Sequence, residues 1–446
     1  MTMENQLRQF YQSFSEKDTL GLEPDDDYYV PLWDESPEKD PIEELWGRID
    51  WAESESVHLL TGFRGNGKST QLRRLKKMLE DRSQCTVFLV NTRDYVLMDK
   101  PIEISDFILS LMAALSAAAE EQTKNTNLAT LVKDIWDRFT KALTTNINFD
   151  TITLKLRAVE LGGQLQTDQT FKAQIQKHLK GQLKQFVDEA RRFVTELVSK
   201  IREQSGKDDL KVVLLVDSLE QMRGVGENAI KVHESVRELF FGQAKNLSFP
   251  LLHIVYTVPP YLPVLTPNLG RMLGGHLVTQ WPNIHVRKRT GEPDETGLKM
   301  MERFVEKRFP AWRNIISQDF MFEFARCSGG YIRNFFGLLR DTAISLRTAR
   351  KSNDGAVLDR RMVDRVVQQL KNELSLIPED DAKWLANIHE SKEASLSNVK
   401  SLPDLARFFD SNWIMNYLNG QPWYDVHPLL VEEIKKITKR ISKKEA

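Results

Sequence analysis

The stretch VHLLTGFRGNGKST, residues 57–70, decides the fold. Its first six residues, VHLLTG (57–62), form an apolar run of strand length, the pattern of a strand buried on both faces. The run enters Gly62-Phe63-Arg64-Gly65-Asn66-Gly67-Lys68-Ser69-Thr70, which fits G-x-x-x-x-G-K-[ST]. Glycines stand where the backbone must curl so that successive N–H groups point inward at phosphate oxygens. Lys68 supplies a point charge to the β- and γ-phosphates, and the Ser69 hydroxyl suits Mg²⁺. STQLRRLKKMLE then reads as a helix whose positive end aims at the same phosphates. The expected cofactors are ATP or ADP with Mg²⁺; no base-reading motif distinguishes ATP from GTP.

Working outward, CTVFLVNTRDY (85–95) is a second strand, and the resulting β-loop-α-β order implies a parallel sheet. LKVVLLVDSLE (210–220) carries a third into Asp217, placed to hold a Mg²⁺ water, with Glu220 three residues on as the candidate to polarise an attacking water. A solvated residue in the next turn is the other reading of Glu220. FPLLHIVYTVPPYL (249–262) ends its strand at Thr257, whose hydroxyl suits the γ-phosphate or the lytic water, or is simply a β-branched strand residue. Residues from about 103 to 205 read as a helical insertion. Within it FILSLMAALSAAA (107–119) is too short to span a bilayer and fits a buried helix. The alternating INFDTITLKLRA (147–158) suggests a hairpin or edge strand, and the mixed-charge helix at 168–205 a contact surface for another chain. Beyond about 295 the pattern is helical.

The 446 residues hold 62 Lys plus Arg against 63 Asp plus Glu, so no global field draws the chain to nucleic acid or membrane. Cys85 and Cys327 cannot build a disulfide framework and have no metal-ligand spacing; both read as buried small hydrophobes. MTMENQLRQF lacks a basic segment followed by an apolar run, so no signal peptide is expected and the expected setting is cytoplasmic, without membrane. The expected divisions are an N-terminal arm outside any core (1–40), an α/β parallel-sheet core that carries the phosphate loop (41–290), and two helical regions, 291–358 and 359–446.

The loop, the strand aspartate and the polar residue on the next strand resemble the additional-strand ATPases, the group that holds AAA+ and STAND proteins. The resemblance implies a P-loop ATPase core with helical insertion (41–290), a helical lid (291–358) and a winged-helix-like C-terminal domain (359–446). SGGYIRNFFGLLRDTA (328–343) is similar to the lid of that group, with Gly330 and Arg333 matching its Gly-x-x-Arg; this implies that Arg333 lies over the nucleotide. WYDVHPLLVEEI (423–434) resembles the histidine motif of STAND switches, which implies that His427 bonds the β-phosphate of ADP. Ser218 stands where many relatives carry an acidic base. The resemblance also implies self-assembly, with Arg271, Arg287 or Arg289 as candidates to complete a neighbour's site.

Two functions then compete. The favoured expectation is a nucleotide-controlled switch that assembles with itself and with a separate effector or sensor protein, as in bacterial antiviral defence. The alternative is a DNA-associated AAA+ ATPase of the initiator or transposition-regulator type. DNA is the less favoured partner because residues 360–446 hold 14 Lys plus Arg and 13 Asp plus Glu, a net of +1. A metabolic transferase would need a polar substrate constellation, and the sequence offers none.

Overall fold

The computed structural model describes residues 2–15, 21–33, 40–146, 157–168, 181–224, 228–266, 268–374, 376–394, 401–419 and 421–445, together with 170, 173, 176, 177 and 179. They form two compact units, each interrupted in sequence. One comprises Pro41–Thr61 and Gln71–Gln280; the other Met1–Asp40, Gly62–Thr70 and Trp281–Ala446.

The first unit is built on a five-stranded sheet. Helices α1 (Met3–Ser13) and α2 (Pro41–Asp50) precede β1 (Val57–Gly62), α3 (Lys68–Asp81) and β2 (Thr86–Asn91). The insertion follows as α4 (Ile104–Thr123), α5 (Leu128–Asn146), α6 (Ala158–Thr167) and α7 (Leu183–Ser205). Then come β3 (Val212–Asp217), α8 (Asn228–Arg237), β4 (Leu252–Val258), α9 (Tyr261–Leu265), α10 (Leu269–Gly274) and β5 (Thr279–Trp281). The strand order is β2-β3-β4-β1-β5, with β2, β3, β4 and β1 paired in parallel. β1, β3 and β4 are buried along their whole length, as their unbroken apolar runs require.

The insertion spends its apolar surface internally. α4 is buried nearly all round, from Phe107 to Ala119. The stripe Phe186, Ala190, Phe193, Leu197 and Ile201 of α7 is buried, and Phe193 meets Trp136 and Phe139 of α5. The helix thus buries its apolar stripe within its own unit and leaves most of its charged residues outward. Most of the alternating stretch 147–158 lies outside the described residues.

In the second unit, α11 (Glu295–Arg308), α12 (Gln318–Cys327) and α13 (Ile332–Arg350) form the lid. The N-terminal arm joins them, contrary to its reading as a leader outside any core. Leu7 and Phe10 of α1, with Phe14 directly after it, are buried in one cluster with Met301, Phe304, Trp312 and Leu339. Their helical spacing gives α1 an apolar face that must be covered. α14 (Arg360–Leu374), α15 (Glu379–Ser391), α16 (Leu402–Asp410), the antiparallel hairpin β6 (Ile414–Asn419) and β7 (Gln421–Val426), and α17 (Val431–Glu445) follow. This is a winged-helix-like module; its hairpin interrupts a region whose sequence reads as helical throughout. Among the described residues no helix is long and apolar enough to cross a membrane.

Candidate nucleotide-binding site

The phosphate loop is shaped by sterics. A Cβ on Gly62 would stand 2.5 Å from the Trp281 carbonyl oxygen. Gly65 and Gly67 have φ of +85° and +82°, the left-handed region where glycine costs least. Lys68 is buried and donates from Nζ to the carbonyls of Gly62 (2.9 Å) and Phe63 (2.7 Å), so its charge sits at the centre of the loop. α3 begins at Lys68, which leaves the N–H groups of its first turn without intrahelical partners. Converging donors, a buried ammonium and a helix N-terminus fit a polyphosphate. Among the described residues there is no cluster of three His, Cys, Asp or Glu that could hold a metal ion.

Separate segments of the same unit grip this loop. At its first half, the Tyr331 hydroxyl donates to the Arg64 carbonyl (2.6 Å), and a Cβ on Gly65 would lie 3.1 Å from Arg333 Nε. Arg333 therefore lies against the loop, at the start of α13. In the middle, Trp281 Nε1 donates to the Asn66 carbonyl (2.8 Å) and Asn66 Nδ2 to Asn283 Oδ1 (2.5 Å). Asn283 continues to β6, its backbone N–H bonding the Asn416 carbonyl at 3.0 Å and its Nδ2 reaching Asn416 Oδ1 at 3.4 Å. Phe63 lies 5.5 Å, ring to ring, from Phe409 of α16. At the loop's end the Leu22 N–H donates to Thr70 Oγ1 (3.0 Å), while Gly21, with φ of +83°, comes so close that a Cβ would be 2.7 Å from Thr70 N. Sequence reading missed Gly21, Leu22, Trp281, Asn283 and Tyr331; only Tyr331, beside the lid motif, carried a signal.

His427 is fully buried at the end of β7. Its Nδ1 accepts from the Leu429 N–H (3.3 Å), and Nε2 lies 3.3 Å from the carboxamide of Asn334, the neighbour of Arg333. Burial, and then the charge of Arg287, push its pKa down to about 3, so the ring is neutral. Arg287 is engaged inside the chain, 3.1 Å from buried Asp425 and donating to the Val426 carbonyl (2.8 Å); Arg271 and Arg289 are exposed. Burial works against the Asp425 carboxylate, yet His389, Arg287 and Lys392 together hold its pKa below the usual range. Gly330 has φ of +76°, and a Cβ there would collide with the Ile284 carbonyl, so only glycine opens the lid helix this way.

In the sheet unit, Asp217 ends β3 opposite Asn91 of β2. Its Oδ1 accepts from the Ser218 N–H (2.7 Å), and its carbonyl from the Thr92 hydroxyl (2.7 Å). Ser218 turns the chain at φ +75°, a conformation rare for residues with a side chain. The Leu219 N–H is then caught by Thr257 Oγ1 at 3.1 Å, so Thr257 holds the turn that follows Asp217. Glu220, in the single turn Leu219–Gln221, is 7 % exposed and is not a solvated residue.

A G-x-x-x-x-G-K-S loop between β1 and α3, and an extra parallel strand, β4, between β1 and the aspartate strand β3, are the arrangement of the additional-strand class of P-loop fold. No family model matches the sequence, and no curated protein matches it. Solved structures are similar in fold. The Aeropyrum pernix ORC2 protein, in ADPNP–ADP complexes, matches at TM-score 0.37 and 10 % identity over 96 % of this chain and 97 % of its own. A Walker-type ATPase of Pyrococcus abyssi gives 0.37 and 13 % over 92 % and 100 %, and the Aeropyrum pernix ORC1 protein in complex with DNA 0.32 and 11 % over 90 % and 93 %. At such scores the class rests on this chain's own loop and strand order.

Proposed function

We propose that this chain is an ATP-binding, ATP-hydrolysing AAA+ ATPase that works on DNA. The observation that carries the ATPase reading is the loop, where two left-handed glycines, the buried Lys68 ammonium and the open first turn of α3 converge. In this reading residues 62–70 bind the phosphates, Ser69 and Asp217 serve the Mg²⁺, which would neutralise developing phosphate charge, and Glu220 orients the attacking water. Thr257 fixes the turn that carries Asp217 and Glu220, Arg333 reaches the nucleotide from the lid, and His427 senses its β-phosphate.

The support for DNA over a defence switch comes from the C-terminal module, a helix-helix-hairpin-helix unit whose last helix carries six of the 14 Lys and Arg of residues 360–446. The DNA in the ORC1 structure belongs to that protein. Antiviral defence and a separate effector have no supporting observation; self-assembly remains part of the proposal through exposed Arg271 or Arg289.

Calorimetry and phosphate release, with and without duplex DNA, test the reading. Lys68→Ala is expected to abolish ATP binding, and Glu220→Gln to retain ATP while losing turnover. Unaltered affinity in Lys68→Ala would remove the phosphate assignment, and full turnover in Glu220→Gln would move the base elsewhere.

A further inference from the structure

The net charge of +1 over residues 360–446 conceals a segregation. α17 places Lys435, Lys439 and Lys443 in one row and Lys436, Arg440 and Lys444 in a second, each at i, i+4 spacing. All six are exposed, and the four with ion-pair partners are 60 to 68 % exposed. Ile434, Ile437 and Ile441 on the opposite face are buried. Counter-charge is sparse. Glu432 and Glu433 lie 3.7 and 4.0 Å from Lys435 and Lys436 in the first turn, and Glu379 alone takes both Arg440 and Lys444, each at 3.3 Å. Among the described residues Lys439 and Lys443 have no ion pair. Like charges repeated at this spacing oppose the helix, a cost that a bound polyanion would relieve.

The elements by which such a module ordinarily meets DNA offer nothing comparable. Arg407 of α16 is clamped by Asp381 (2.8 and 2.9 Å) and Asp404 (3.1 Å), and residues 408–426, hairpin included, contain no Lys or Arg.

We propose that the exposed face of α17 binds the phosphate backbone of duplex DNA without reading sequence. This rests on the DNA-associated reading above and names its contact surface. A lipid surface fits less well, because the apolar face of α17 is already buried and leaves nothing to enter a bilayer. Between the cations the face carries only Thr438 and Ser442, small polar residues that lack the apolar anchors of a protein interface.

The test is titration of a fluorescent duplex by the full chain across a salt series, with intact protein beside Lys435→Gln/Lys439→Gln/Lys443→Gln. Glutamine keeps helix propensity, and unchanged ATP affinity and melting temperature report that the fold is intact. The triple variant should bind at least tenfold more weakly at low salt, with the slope of log affinity against log salt reduced by about 0.9 per lysine removed. Gln421→Ala at the hairpin tip should change neither. Equal DNA binding by intact protein and triple variant would overturn the α17 surface while leaving the DNA reading in place. No DNA binding by an intact protein that still binds ATP would overturn both, as would preferential binding to anionic vesicles.

Discussion

At the scale of the residue, side chains matter here as much for the space they leave as for the bonds they make. Gly330 and Gly337 lie seven positions apart and bracket the start of the lid helix, yet their surroundings are opposite. At Gly330 both the positive φ and the Ile284 carbonyl exclude a Cβ, whereas at Gly337 the nearest atom is the flexible end of Arg340, 3.9 Å away. Gly330→Ala should therefore cost about 2–4 kcal/mol. Gly337→Ala should stabilise by up to about 1 kcal/mol, as expected within a helix. Thermal melts of the two variants check the pair, and similar shifts for both would contradict the backbone argument. Ser218 is held at positive φ without being glycine, between the Asp217 carboxylate and the turn fastened by Thr257. A strained residue beside a candidate magnesium aspartate is the kind of cost that a functional geometry sustains.

At the scale of the element, the phosphate loop is wired to the C-terminal hairpin through Asn66, Asn283 and Asn416. Three carboxamides in series, with the backbone bond from Asn283 N–H to the Asn416 carbonyl beside them, form a path along which loop geometry can bias β6. ADP is expected to slow hydrogen exchange across residues 414–426, and in Asn283→Ala that change should vanish while ADP still binds. Persistence of the change in the variant would dismiss the path. Of these elements the sequence made the loop and the four long strands legible, because parallel strands buried on both faces write themselves as apolar runs. β5, only three residues long, is too short to show a period, and the hairpin is polar at Asn416, Asn419 and Gln421. Asn283, Trp281 and Gly21 were illegible for another reason. Their meaning lies in contacts with residues more than forty positions away, and no local pattern encodes those. The N-terminal arm misled because its prolines and acids follow a helix whose three apolar residues become significant only once the lid exists.

At the scale of the whole molecule, both units hold histidines that fold as neutral groups. In the sheet unit Ser56 Oγ lies 2.9 Å from His253 Nδ1 and 2.9 Å from His58 Nε2, and burial, with nearby charges, lowers their pKa to about 4 and about 3. His427 does the same in the other unit, at about 3. Below the ordinary value of 6.5 the unfolded chain binds protons that the folded chain refuses. The stability these groups contribute is full above pH 6.5 and is lost as pH falls toward 4 and 3, at about 1.4 kcal/mol per pH unit for each ring. Urea midpoints between pH 7.5 and 5 should fall accordingly, and His253→Asn should flatten the slope by about one ring's share; a midpoint indifferent to pH would contradict this. A last consequence concerns the order in which the parts become available. The sheet unit is assembled from residues 41–61 and 71–280, so all its material is synthesised before the lid is. α1 emerges first, yet Phe10 and Phe14 find their cover only in residues beyond 300, and the loop at 62–70 finds Asn283, Tyr331 and Phe409 equally late. Such long sequence separations make closure slow. During synthesis the nucleotide loop is therefore the portion of the ATPase that must wait, with the apolar face of α1 exposed to chaperones in the interval.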